Sequence, residues 1–127
     1  MTPQHAIFRQ LFAECKSISI DTYDYLPDFD SKYPFIYVGE AINTTVVNND
    51  LMGQVAQTIH IYAERTQRKR LDQLITQLFN IVSNLREVYE YNVSIRGIQQ
   101  QIISDNSTNK ILLHGIIEIS YFYTKKG

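Results

Sequence analysis

Apolar positions along this chain repeat with two different periods, and the switches between them mark its elements. Between residues 67 and 85, Leu71, Leu74, Ile75, Leu78, Ile81, Val82 and Leu85 recur at i, i+3, i+4 and i+7, the stripe of an amphipathic helix. Thr66 stands just ahead of it as a capping hydroxyl. So long a stripe requires a sheet or another helix to cover it. A shorter stripe of Ile7, Phe8, Leu11, Phe12 and Cys15 follows Thr2-Pro3, a cap and a first-turn proline that open a helix.

Elsewhere the period is two. From Gln54 to Glu64, Val55, Gln57, Ile59, Ile61 and Ala63 share one face, and Ala56, Thr58, His60 and Tyr62 the other. Stretches near 93–103 and 110–123 flank the turn cluster DNSTN at 105–109, which predicts a hairpin with long arms. Its second arm has one wholly apolar face of Leu113, Gly115, Ile117, Ile119, Tyr121 and Tyr123, while Leu112, His114, Ile116, Glu118, Ser120 and Phe122 make a mixed one. Ser17 to Asp21 alternates enough for a short strand. YPFIYVGE at 33–40 reads as a strand from Phe35 to Gly39, with Gly39-Glu40 ending it and turning the chain to solvent. AINTTVVNNDLMG at 41–53, with Thr44, Thr45, Val46 and Val47, reads as an extended hairpin arm.

The order helix, strands, helix, hairpin predicts a single α+β domain over residues 1–127. Two helices pack on one face of a mostly antiparallel β-sheet that carries a long β-hairpin arm. The mixed second face is expected to be partly engaged by something else.

Composition narrows the function classes. A chain of 127 residues buries roughly two-thirds of its unfolded surface and needs neither metal nor disulfide for stability. Its formal net charge of -1 gives no global field toward nucleic acid or an anionic membrane. The lone cysteine, Cys15, excludes an internal disulfide and fits a reducing compartment. No run approaches the ~18 apolar residues of a membrane span, and the N-terminus lacks a secretory pattern. A soluble intracellular protein is the expectation.

Candidate chemistry is sparse. Asp21, Asp24, Asp28 and Asp30 surround Pro27, but the glycine and distal glutamate of a calcium loop are missing, so a solvated acidic loop is expected there. The five glycines are scattered, and none starts a phosphate-binding loop. His5, His60 and His114 have no ligand partner at zinc spacing. His60 and His114 could approach across a sheet face, although strand histidines on a polar face are usually surface residues. A metal-dependent nuclease around Glu40 would need a second carboxylate, such as Asp21 or Glu64, and a lysine on adjacent strand ends, and no second group can be placed beside Glu40 from sequence. The reading is therefore no enzyme, no cofactor and no metal. Cys15, on the buried stripe, is expected to be a packed thiol.

Two features point to surfaces. Arg65, Arg68, Lys69 and Arg70 begin the long helix, where the helix dipole disfavours cations. They suit an acidic partner, a neighbouring subunit or phosphates. There are nine tyrosines and six phenylalanines, and Tyr23, Tyr25, Tyr33, Tyr89 and Tyr91 sit in or beside loops, as interface residues or as a wet rim to the core.

The succession of a short N-terminal helix, an acidic proline-containing loop, YPFIYVGE, QTIHIYAER, a long amphipathic helix and a hairpin ending HGIIEISYFY resembles the small tail-terminator, or tail-completion, proteins of long-tailed bacteriophages, a group that overlaps with head–tail joining proteins. The resemblance runs from about residue 4 to 123, and it departs at Tyr62, where relatives often carry tryptophan. It implies a structural subunit of a phage or prophage that forms a homo-oligomeric ring, typically a hexamer. Such a ring caps the tail tube, stops its growth and offers a head–tail joining surface. The implied partners are the major tail-tube protein, a head-completion or connector protein, and DNA only as it passes through the lumen, with no membrane. The implied locations are the host cytoplasm during assembly and then the virion.

On that resemblance the interface candidates are Asp28 and Asp30 in the acidic loop, Thr45, Val47 and Asn49 in the arm, and Arg65, Arg68, Lys69 and Arg70 as intersubunit ion pairs or lumen wall. The alternatives are a head–tail connector (neck) protein of similar fold, or a small nucleic-acid-binding adaptor that uses the 65–70 basic run.

Overall fold

A computed structural model describes residues 1–46 and 49–127. Helix α1 spans Pro3–Ser17, and Thr2 Oγ1 accepts from His5 N–H at 3.2 Å, as the cap reading predicts. Ala6, Ile7, Leu11 and Cys15 are its buried side chains. The strand expected at 17–21 does not form. The chain instead closes the helix end, with Ile18 N donating to Cys15 O and Ser19 N to Lys16 O. Ser19 takes the left-handed conformation, φ 61°, that commonly stops a helix.

Strand β1 is only Thr22–Tyr23. Strand β2 runs Phe35–Val46 and β3 runs Asn49–Glu64, so β2 does not end at Gly39-Glu40 as expected. A register shift between Val38 and Ala41 absorbs the pair as a bulge, and pairing with β3 resumes beyond it. A bulge lets one strand bend without giving up its ladder.

A 3₁₀ turn at Arg65–Gln67 leads into helix α2, Arg68–Ser83. Thr66 lies inside this turn and is not the cap. Glu64 caps the turn in a capping box with Gln67, whose Oε1 accepts from Glu64 N–H at 2.9 Å while its Nε2 donates to Tyr33 O at 3.1 Å. Gln67 stands at the cap position of α2 without a side-chain cap bond. Strands β4 (Glu87–Val88), β5 (Tyr91–Asp105) and β6 (Leu112–Lys125) complete the chain.

These strands form one six-stranded sheet in the order β1-β2-β3-β6-β5-β4, antiparallel except for the β1/β2 pair. The α+β reading with helices on one sheet face therefore holds. Val55, Ile59, Ile61, Ile117, Ile119, Tyr121 and Tyr123 meet Ile7, Leu11, Leu71, Leu74 and Leu78 in the main core. Gly115 lets α2 come close, because a Cβ there would stand 3.1 Å from Leu71 Cδ1. Tyr121 donates its hydroxyl to Val82 O at 2.7 Å, tying the end of α2 to β6.

The arm is mostly part of the sheet, because β6 pairs with β3 from Met52 onward. Of its described residues, only the tip projects.

The second sheet face is covered at one end by the chain's own 22–34 segment. Tyr33, Phe35, Tyr62 and Leu112 form a second buried cluster, with Tyr23 and Phe29 packed on it. Tyr33 donates to Phe29 O at 2.7 Å, and the Phe29 ring meets Tyr62 edge-on at 5.6 Å. Of the loop tyrosines, Tyr33 and Tyr91 are therefore core residues. Tyr91 donates its hydroxyl to Met1 O, while Tyr25 and Tyr89 stay exposed.

Candidate functional site: a carboxylate–histidine–histidine chain on the open sheet face

Beyond the Tyr33–Tyr62 cluster, the second face carries a line of polar and aromatic side chains. His60 on β3 lies opposite Tyr37 on β2 and opposite Ile116 on β6, and His114 lies opposite Tyr62. The histidines are thus diagonal neighbours on one face, a spacing within reach of their rings. His60 Nδ1 and His114 Nε2 are 2.7 Å apart, and His60 Nε2 lies 2.8 Å from Glu40 Oε1. Tyr37 stacks on His60 with centroids 5.2 Å apart, and Tyr62 stacks on His114 at 4.2 Å. Two aromatic rings thereby clamp the pair from both ends.

The bulge in β2 is what aims Glu40. Beneath it lies Gln57, a wholly buried polar side chain. Its Nε2 donates to Gly39 O (3.1 Å), Glu40 O (3.2 Å) and Thr58 O (2.9 Å). A bulge leaves backbone groups outside the ladder, and buried carbonyls need donors. Gln57 supplies one to both bulge carbonyls. Its Oε1 has no hydrogen-bond partner among the described residues.

The carboxylate sets the protons of the chain. An ionised Glu40 only accepts, so His60 donates to it from Nε2. One proton lies between His60 Nδ1 and His114 Nε2, one ring donating and the other accepting. The His60 hydrogen bond holds the Glu40 carboxyl below its ordinary value. Burial, followed by the nearby His60, lowers the His114 imidazole, and Asp105 and Glu40 only partly offset this. The two effects favour an ionised Glu40 carboxylate and a neutral His114 ring.

This arrangement can carry a proton along a line. It is not built to converge on a metal, since Glu40 and His114 occupy opposite sides of the His60 ring. Among the described residues no group of three His, Cys, Asp or Glu side chains is placed to hold a metal ion. Asp21, Asp24, Asp28 and Asp30 are exposed.

The structure places His60 beside Glu40, where the sequence alone could place no second titratable group. Periodicity had put His60 and His114 on one face, but the bulge that brings Glu40 over His60 has no local signature beyond Gly39.

The interface candidates do not gather at this site. Arg65, Arg68 and Lys69 are exposed and Arg70 is half-buried, and none of the four forms an ion pair among the described residues. Lys110, 3.5 Å from Glu64 Oε1, lines a shallow groove with Arg65 and Thr66 and adds a further cation to that end. Thr45 is exposed on β2. Asn49 begins β3, and Val47 lies outside the described residues. Among the described residues no helix is long and apolar enough to cross a membrane.

Compared with known proteins, the chain matches no family model and no curated protein sequence.

Proposed function

We propose that this chain is a non-enzymatic structural subunit that assembles with copies of itself, and specifically a ring-forming tail-completion protein of a long-tailed phage or prophage. The observation that carries self-assembly is the placement of exposed apolar side chains on both flanks of the sheet. Ile42 on β2 is 66% exposed, Leu51 at the arm tip 55%, and Ile103 on the far strand β5 45%. Apolar groups exposed on opposite flanks of a small sheet suit repeated association with copies of the same chain.

The tail assignment within that class rests on the resemblance of the element order and of the YPFIYVGE, QTIHIYAER and HGIIEISYFY segments. In this reading the arm tip with Thr45 and Asn49, and the loop with Asp28 and Asp30, contact neighbours or the tube. Arg65, Arg68, Lys69 and Arg70 meet acidic groups or line the lumen. The tail-tube protein and a head-completion protein are the further partners, and the site of action is the head–tail interface of the virion.

Electron microscopy of the purified protein mixed with tail tubes tests this. Rings and capped tube ends are expected, and uncapped tubes at every protein concentration reject the tail assignment.

A nucleic-acid adaptor is the second reading, favoured by the exposed cations Arg65, Arg68 and Lys69, which form no ion pair among the described residues, and by Lys110 beside Arg65. It requires a salt-sensitive DNA affinity that is lost on replacing Arg65, Arg68 and Arg70 by Ala.

A further inference from the structure

The long strands β2 and β5 are covered on their outer sides only by the two-residue strands β1 and β4. Strand β1 meets only Ile36 and Tyr37 of β2, and β4 meets only Tyr91 and Asn92 of β5. Past Tyr37 on β2 and past Val93 on β5, no strand among the described residues covers the outer edge. Every second residue there directs its N–H and C=O away from the sheet. We propose that the two edges pair with each other between copies of this chain, the β5 edge of one copy adding antiparallel to the β2 edge of the next. The proposal rests on the self-assembly reading above and supplies its interface.

Four observations point to a second copy as the occupant. First, two of the usual guards of a free edge, charged residues and proline, are nearly absent, although another, a bulge, occurs on each edge. Ser94–Ser104 of β5 contains one charged residue, Arg96, and runs IQQQIIS from 98 to 104, while Val38–Val46 of β2 contains one, Glu40, and neither stretch has proline. Second, those single charges are opposite in sign, so β5 complements β2 and neither edge complements itself.

Third, the directions agree. Three antiparallel pairings separate β2 from β5, so the two strands run oppositely. Two copies set side by side in one orientation therefore bring them together antiparallel, as in the rest of the sheet. Fourth, the levels agree. Val38 is level with Ile59, Ile117 and Gln100, and Thr44 with Gln54, Phe122 and Ser94. The short β1 and β4 stand outside this span, which leaves 38–44 of one copy clear to meet 94–100 of the next.

A stagger of about two to three residues, roughly 7–10 Å of strand, places Arg96 opposite Glu40. It narrows the paired span to about 38–42 against 94–98, short of β4. Each charge lies at its strand's bulge, so the new ladder is interrupted at one point on each side. Pairing of two different edges is heterologous, and it propagates from copy to copy until the rotation closes a ring.

The test uses two edge-blocked variants, one with Ile42→Lys and Thr44→Lys, the other with Gln101→Lys and Ile103→Lys. All four residues are exposed, and circular dichroism with a thermal melt checks that both variants fold. Light scattering should show the wild type assembling with concentration and each variant alone as a monomer. An equimolar mixture should form a one-to-one heterodimer and nothing larger, because one open β5 edge meets one open β2 edge. Hydrogen exchange of the 94–104 amides should slow in the wild-type oligomer, a readout that needs no substitution.

A wild type that stays monomeric at all concentrations overturns the proposal. So does either variant dimerising alone, which would mean self-pairing of one edge, or assembling like the wild type. A mixture that remains monomeric overturns it too. Should the mixture pair while wild-type assemblies leave tail tubes uncapped, edge pairing stands and the tail assignment falls.

Discussion

His60 Nδ1 and His114 Nε2 face each other across 2.7 Å, so the two rings share a single proton between them. A second proton between the facing nitrogens would set two N–H groups against each other and break the pair.

This makes stability depend on pH in a definite direction. His114 has a folded value below its ordinary 6.5, so its contribution is full above 6.5 and is lost as pH falls through the lower folded value. Glu40, lowered from 4.5, contributes above 4.5 and loses that contribution at still lower pH. Thermal midpoints should therefore fall in two stages below neutrality. His114→Asn should remove the first stage and leave the second, and a wild-type midpoint that is flat from neutral pH to below 4.5 would contradict the chain.

Gln57 is the internal brace of the β2 bulge. Gln57→Leu keeps the volume but removes the donor shared by the Gly39, Glu40 and Thr58 carbonyls. Stranding buried acceptors costs about 1–3 kcal/mol, partly relieved here because the unpaired Oε1 is removed as well. Urea unfolding should show the loss. The same variant should reduce the acid dependence described above, since Glu40 is then no longer held over His60.

Two glycines should respond oppositely to alanine. A Cβ at Gly53 would lie 2.4 Å from Thr44 O and 2.9 Å from Thr45 Cα, both backbone atoms that cannot swing aside. Gly53→Ala should cost about 1–3 kcal/mol, as other overpacking does. A Cβ at Gly97 meets nothing within 4 Å and Gly97 has no positive φ. Gly97→Ala should leave stability unchanged or raise it by about 0.4–1 kcal/mol through the unfolded chain. Denaturant midpoints of the two variants make the comparison.

Burial pushes the Cys15 thiol up to about 12, which leaves little thiolate at neutral pH. A disulfide exchange reagent should label Cys15 only at the rate at which the protein unfolds. Fast labelling of the native state would mean that the end of α1 opens locally.

Much of the architecture is local information and was legible in the chain. The Leu71–Val82 stripe forms one side of a helix whatever surrounds it, because 3.6 residues per turn put those positions together. The alternation in β3 and β6 puts Ile59, Ile61, Ile117 and Ile119 on one face for the same kind of reason, and Thr2-Pro3 starts α1 by supplying an acceptor where the backbone lacks one. What the sequence could not determine is which residues of different strands stand opposite each other. That depends on registers, and one extra residue changes them. The bulge at Gly39-Glu40 is such a residue, and it carries β2 past its expected end and brings Glu40 over His60. The same long-range pairings leave β2 and β5 as the two open edges of the sheet. Local periodicity thus determined the faces, and non-local strand pairing decided which groups meet on them, because hydrogen-bonded register is a property of two strands together.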